Sequence, residues 1–199
     1  METTTALAAV ALIAFAVASG CLIQLHRVAP EVDPLRDAVS EYGAGPHASW
    51  YRAQVLLVGL GAAATASGMQ SAGLAADGTS WLYVFAASRI LIAGFPVDLP
   101  GSETTRTGVV HNLLAAIAFA SIAVAASSLG GDLVADPTWS FDSAWYGWLG
   151  TIVTVSAVAL AVVWVLPSLR RSVFGLVERC WYAATLAWLG LTGIGLLRR

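Results

Sequence analysis

Six stretches of mostly apolar residues, divided by shorter polar segments, organise this chain. A helix that crosses the hydrocarbon core of a bilayer needs about 20 such residues, and six windows approach or reach that length: 6–25, 53–74, 80–97, 109–129, 145–166 and 175–197. Polar connectors fill 26–50, 75–79, 98–108, 130–144 and 167–174, and all of them except 75–79 contain helix-ending prolines. The pattern predicts an all-α fold, a polytopic transmembrane bundle of about six helices, as one transmembrane domain over residues 1–199.

Composition strengthens the prediction of a membrane protein. Hydrophobic residues make up 58% of the 199 positions and charged residues only 11%, whereas soluble domains carry about 25% charged residues. We therefore expect a multi-pass protein of the cell membrane that contacts membrane lipids, with a membrane-protein partner or a second copy of the chain as further partners, and no nucleic acid. The chain has no lysine, which excludes Schiff-base and P-loop chemistry because both need one.

The arginines are distributed unevenly over the predicted topology. With six spans, the first, third and fifth connectors share one side of the membrane. That side carries most of the arginines: Arg27, Arg36, Arg52, Arg106, Arg170, Arg171 and Arg179. The other side carries Arg198 and Arg199. Because positive loops stay inside, we expect the odd-numbered connectors in the cytoplasm and both termini outside.

The polar residues that can carry chemistry gather on the same side. They are His26, Ser40, Glu41, His47, Asp98, His111, Glu178 and Arg179. We expect Asp98 to close the third helix, His111 to open the fourth, and Glu178 with Arg179 to open the sixth. A carboxylate and an imidazole at adjacent helix ends can form an acid/base pair, with Ser40 as nucleophile or hydrogen-bond donor. Ser40, Asp98 and His111 are therefore the candidate catalytic residues; the alternative is that they cap the loops.

Arg89 is the most costly polar residue in the predicted helices. It precedes Asp98 by nine positions, which places it roughly 13 Å deeper along a continuous helix. An arginine at the bilayer centre costs at least about 2.5–3.5 kcal/mol, so it needs a partner: Asp98 if the helix bends at "GFPVD", or Glu41 from the first connector. Arg89 is either part of an anion or headgroup site, or it forms a structural ion pair or extends its side chain to the membrane interface. The candidate binding residues are Arg89, Glu41, Arg106, Glu178 and Arg179.

No metal or cofactor is expected as the main interpretation. The three histidines stand in no HxxxH or HExxH relation. A zinc site built from histidines and Asp98 would depend on tertiary folding alone, and so would a haem held by His26 and His111. Both remain alternatives.

The cysteines and tryptophans are also consistent with a membrane bundle. Cys21 and Cys180 lie in apolar segments without CxxC spacing, which predicts small buried side chains rather than a zinc ribbon or a disulfide. Five tryptophans fall near predicted membrane interfaces, where amphipathic rings anchor helices: Trp50, Trp81, Trp139, Trp145 and Trp181.

Several segments together resemble one known family. "DAVSEYGAG", "RILIAGFPVDLPG", "GVVHNLLAAIAF" and "SVFGLVERCWYAATLAWLGL" resemble the prokaryotic membrane family described as domain of unknown function 998, over roughly residues 6–197. The resemblance implies six membrane helices, no established activity, and a distant likeness to the DRAM-type membrane proteins. The family's recognisable positions fall on Ser40, Phe95, Pro96, Asp98, His111, Gly175, Leu176, Glu178 and Arg179.

Three hypotheses for function follow. The first is a module that binds a lipid headgroup or a protein partner at one membrane face, with Arg89, Arg106 and Arg179 as anion contacts. The second is an intramembrane, hydrolase-like enzyme that modifies a lipid. The third is a transporter or channel, which the almost wholly apolar outer half of the bundle disfavours.

Overall fold

The computed structural model describes residues 2–74, 77–136, 139 and 143–199, and it confirms the all-α membrane bundle. The six α-helices of the described residues are α1 (Glu2–Val28), α2 (Ala48–Ser71), α3 (Asp77–Ile92), α4 (Arg106–Ala135), α5 (Ser143–Val165) and α6 (Pro167–Leu197). A short 3-10 helix, Val39–Ala44, lies in the first connector. Each α-helix covers most of one window of apolar residues.

The helices close into a ring. Each one packs against its neighbours in the chain, and α1 also packs against α6. Near the end of α1, His26 contacts Arg179 of α6; at the other end of the bundle Arg199 pairs with Asp136, just after α4, at 2.9 Å. The end at which α1, α3 and α5 finish is called the arginine end here, because it carries Arg27, Arg36, Arg52, Arg89, Arg106, Arg170, Arg171 and Arg179.

Apolar side chains cover the outside of the bundle. Val10, Ile13 and Val17 on α1 are 49–65% exposed, and Val155 and Val158 on α5 are about as open. Four helical segments of the described residues are long and apolar enough to cross a membrane: Glu2–Val28, Arg106–Leu133, Ala144–Val165 and Pro167–Leu197. In water such faces would aggregate, so the lipid hydrocarbon is their solvent.

Two helix boundaries differ from the expected ones and move candidate site residues. α3 ends at Ile92, because the segment that follows contains Gly94 and Pro96. Asp98 therefore lies in the connector 93–105 and does not close the helix. At the other boundary, α6 begins at Pro167 and runs through the predicted connector 167–174, since proline is well tolerated in the first turn of a helix.

The buried core includes aromatic residues that were expected at the membrane interface. Trp181 is fully buried and Trp139 is 7% exposed, so the interface prediction is wrong for both; Trp181 packs edge-on against Phe119 with ring centroids 4.6 Å apart. Trp50, Trp81 and Trp145 are exposed. Cys21 is buried as expected, but Cys180 is exposed, because it lies on the outer face of α6.

Candidate functional site

Arg89 is held inside the bundle by α2 and α6. The residue is 2% exposed, and its Nη2 donates to the Tyr182 hydroxyl and, at 3.4 Å, to Gln54 Oε1. The guanidinium carbon also lies 5.1 Å from the centre of the Tyr182 ring. These partners replace the expected Asp98 and Glu41. Because α3 ends at Ile92, Arg89 is only three residues, about 4.5 Å, from the helix end, much less deep than the sequence suggested.

Close packing of α2 on α3 positions this arginine. A Cβ on Gly59 would lie 2.9 Å from the Ala86 carbonyl oxygen and 3.2 Å from Arg89 Cβ. Any side chain at this position would therefore push the two helices apart. Glycine at residue 59 brings Gln54 and Arg89 within contact.

Glu178 is the second buried charged residue. It is 5% exposed, and its Oε2 accepts a hydrogen bond of 2.7 Å from the Val39 amide at the start of the 3-10 helix. The charges of Glu178 and Arg89 interact, yet within the described ranges no ion pair of 4.0 Å or less joins them. Glu178 therefore fixes the first connector to the middle of α6, not to its start.

Tyr51 completes the buried group. It is 3% exposed and lies near Arg89, Glu178 and Tyr182. Gly43 lies directly on its ring, where a Cβ would be 2.6 Å from Tyr51 Cδ1. The set Tyr51, Gln54, Arg89, Glu178 and Tyr182 is called the buried polar cluster below.

Arg179 ties the first connector to α1 and α6. Nε donates to His26 Nε2 at 2.8 Å, Nη1 to the carbonyl oxygens of Asp37 and Gly175 at 2.8 and 3.1 Å, and Nη2 to the Tyr42 hydroxyl at 3.3 Å. All three of its nitrogens are thus engaged by the protein. These bonds use four of its five N–H groups and leave one on Nη2, so the anion contact at Arg179 stays a prediction.

The same contact fixes the tautomer of His26. A guanidinium N–H can only donate, so His26 Nε2 must accept and Nδ1 must carry the proton. That proton points to the Leu22 carbonyl oxygen, 2.7 Å away. Both ring nitrogens are therefore occupied in a way that does not fit a haem ligand.

Glu41 and Ser40 belong to the 3-10 helix. Glu41 Oε1 accepts from the Ala38 amide at 3.0 Å and so caps the helix locally. Burial raises the pKa of Glu41 above its ordinary value, and the hydrogen bond from Ala38 opposes this effect. The structure gives Glu41 a local partner and does not bring it to Arg89.

Asp98 caps α4. Its two oxygens accept from the Thr105 amide at 2.9 Å and the Thr105 hydroxyl at 2.7 Å, while Thr105 Oγ1 accepts from the Gly108 amide at 3.0 Å. The hydrogen bonds from Thr105 hold the pKa of Asp98 below its ordinary value. A side chain at Gly108 would collide with the Asp98 carboxylate, so the connector depends on glycine there.

His111 is also engaged by the connector 93–105. It is 2% exposed, and its Nδ1 lies 2.6 Å from the Phe95 carbonyl oxygen. A carbonyl only accepts, so Nδ1 is the protonated nitrogen. Asp98 and His111 lie close enough to interact electrostatically, but neither hydrogen-bonds the other; each braces the connector on α4. No group of three His, Cys, Asp or Glu side chains with metal-binding geometry occurs among the described residues.

Other arginines of this end point outwards. Arg27, Arg36, Arg52, Arg106, Arg170 and Arg171 are exposed. Arg36 pairs weakly with Asp33 at 3.8 Å, and Arg170 stacks over the Trp164 ring at 3.8 Å. Of the arginines named as candidate anion contacts, Arg106 is thus the one on the surface.

Three members of the buried polar cluster did not stand out in the sequence. Gln54 is a polar residue in an apolar window, and this position was the sequence signal that could have identified it. Tyr51 lies three residues before it and Tyr182 four residues after Glu178, spacings that place each pair on one helix face.

A ring of lipid-facing helices around a buried polar cluster defines a helical integral membrane protein. A family model described as "Protein of unknown function (DUF998)" matches residues 6–195. The chain belongs to this family, which confirms the resemblance seen in its sequence. A comparison with curated proteins and one with solved structures give no match.

Proposed function

We propose that this protein crosses the cell membrane six times and binds the headgroups of anionic lipids at its arginine end. The observation that carries the proposal is the set of exposed arginines, which come from four helices and the first connector and share one end of the bundle: Arg27, Arg36, Arg52, Arg106, Arg170 and Arg171. A guanidinium suits a phosphate because its planar fork donates paired hydrogen bonds.

The turn between α5 and α6 supports the proposal most directly. Residues 164–172 are all exposed, and they combine apolar side chains such as Trp164 and Leu169 with Arg170 and Arg171. Aromatic rings and arginines together are typical of the headgroup level of a membrane. Each basic residue near an anionic leaflet contributes about 1 kcal/mol of attraction.

The ring supports the proposal of six spans. α2 and α3 pack between α1 and α4, which both belong to the four segments that are long and apolar enough to cross. α3 has 16 residues, about 24 Å of helix, so it crosses together with part of the connector 93–105. The positive-inside rule places the arginine end in the cytoplasm.

The hydrolase-like alternative has less support. Asp98 is committed to Thr105 and His111 to the Phe95 carbonyl oxygen. An acid/base pair would need these bonds to be exchanged for a contact with substrate.

The double variant Arg170→Gln/Arg171→Gln tests the proposal. Protein in nanodiscs of mixed phosphatidylglycerol and phosphatidylcholine is released in a native mass spectrometer, and the bound lipids are counted. Removal of two arginines should lower the preference for phosphatidylglycerol about 30-fold, given about 1 kcal/mol for each. Ser168→Gln, in the same exposed segment, is the control, because it keeps both arginines and should leave the preference unchanged. Equal lipid preference in the double variant and the wild type would refute the proposal.

A further inference from the structure

The buried polar cluster contains hydrogen-bond donors without acceptors. Of the five N–H groups of Arg89, only those on Nη2 make hydrogen bonds within the described residues; Nε is fully buried and has no partner. Gln54 is completely buried, and its Nε2 also has no partner. Gln54 Oε1 accepts a hydrogen bond from Arg89, so the two unpaired donors, Arg89 Nε and Gln54 Nε2, belong to side chains that contact each other.

An acceptor in the same cluster is also left over. Glu178 uses Oε2 for the Val39 amide; its Oε1 receives no hydrogen bond from the described part of the chain and, unlike Arg89 Nε and Gln54 Nε2, is not fully buried. Arg89 and Glu178 attract each other without direct contact. Buried polar groups are normally paired, and an unpaired charged donor or acceptor costs more than a neutral one. A ligand that accepts from Arg89 and Gln54 and donates to Glu178 would satisfy all of them.

We propose that the buried polar cluster binds one phosphate group whose ligand also carries an N–H or O–H donor. Phosphate oxygens would accept from Arg89 Nε and Gln54 Nε2, and the donor would reach Glu178 Oε1. A phosphate suits these donors chemically, because several oxygens on one atom can accept hydrogen bonds from more than one side chain. Its level in the bundle also fits, since Arg89 lies in the last turn of α3, at the end where headgroups lie.

Two sources can supply this chemistry. One is the headgroup of phosphatidylethanolamine, which joins a phosphate to an ammonium; the other is free hydrogen phosphate, which carries its own O–H. The inference goes beyond the proposed function because it uses none of the six exposed arginines. Phosphatidylcholine has the same phosphate but no N–H donor, so it serves as a chemical control.

Gln54→Glu is the test variant. The new carboxylate keeps an acceptor for Arg89 and replaces the Nε2 donors by an oxygen that repels phosphate. We expect a folded protein with an unchanged or higher melting temperature. Gln70→Glu is the matched control, because Gln70 lies on the same helix near the opposite end, where its Oε1 accepts from Tyr83.

The measurement has two arms, both on the full-length protein. In detergent, inorganic phosphate should raise the melting temperature relative to chloride at equal ionic strength. In nanodiscs, native mass spectrometry should show one retained phosphatidylethanolamine in preference to phosphatidylcholine. A response in the first arm alone identifies free phosphate as the ligand, and a response in the second arm alone identifies the lipid headgroup. Either response supports the site if Gln54→Glu weakens the binding at least tenfold and Gln70→Glu does not.

Two results would overturn the inference. One is a wild-type protein that responds in neither arm, as expected if water alone fills the cluster. The other is a phosphate or lipid response that survives Gln54→Glu. Arg170→Gln/Arg171→Gln should leave this site unchanged, so its failure and that of the proposed function can be told apart.

Discussion

Single residues decide how the first connector is held. Arg179 makes four hydrogen bonds to α1, α6 and the connector, and Gly175 lets the connector approach, since a Cβ there would lie 2.5 Å from the Asp37 carbonyl oxygen. The sequence predicted that Arg89 needs a partner, because it is a charged residue within an apolar window. The identity of the partners was not predictable, because Gln54 and Tyr182 are 35 and 93 residues away and both are ordinary residues in their helices.

Replacement of Arg179 by lysine should loosen this connector. An ammonium lacks the planar fork, so at least one hydrogen bond to a charged group is lost, at a cost of about 1.5–3 kcal/mol. A lower melting temperature of the detergent-solubilised protein would show it. Arg52→Lys, on the exposed face of α2, is the control and should melt like the wild type; an equal loss in both variants would contradict the specific role of Arg179.

At the level of helices, proline and glycine residues predicted the order of the helices correctly but gave wrong positions for the end of α3 and the start of α6. "FPVDLP" correctly predicted a break after the third helix, yet the helix ends before Phe95, and Asp98 stabilises the next helix instead of closing its own. Pro167 was interpreted as the start of a connector, although proline equally suits the first turn of a helix. Local sequence does not distinguish these cases, because a proline is compatible both with the end of one helix and with the first turn of the next.

The cap of α4 gives a prediction at this scale. Thr105→Ala removes the hydroxyl that accepts from Gly108 and donates to Asp98, and loss of such a cap costs about 0.5–2 kcal/mol. Thr105→Ser retains the hydroxyl and should restore stability. Thermal melting of both variants provides the comparison, and a serine variant as unstable as the alanine one would argue against the cap.

Acid should weaken the same cap. Because hydrogen bonds from Thr105 hold the pKa of Asp98 below its ordinary value, the ionised form stabilises the folded protein. This stabilisation is complete above the pKa of the unfolded chain, near pH 4, and is lost as the pH falls through the lowered folded-state value. Between pH 6 and pH 3, the melting temperature should therefore fall less for Asp98→Asn than for the wild type. Identical decreases would mean that Asp98 does not contribute.

For the whole molecule, apolar windows predicted the class and the order of helices, since six separated hydrophobic stretches have few other solutions in a bilayer. The ring closure between α1 and α6 was not predictable, because it depends on contacts such as Gly193 against Leu12, where a Cβ would lie 3.0 Å from Leu12 Cδ2. The ring brings the arginines of four helices to one end, and the account of headgroup binding depends on that end facing one side of the membrane.

Cysteine accessibility tests directly whether the chain crosses the membrane six times with the arginine end on one side. In a background with Cys21 and Cys180 replaced by alanine, single cysteines are placed at two exposed positions, Ser102 in the connector after α3 and Ser71 at the end of α2. A membrane-impermeant maleimide is applied to intact cells and to inverted vesicles. The account predicts labelling of Ser71→Cys in cells and of Ser102→Cys in inverted vesicles. Labelling of both from the same side would contradict six crossings and a common arginine end.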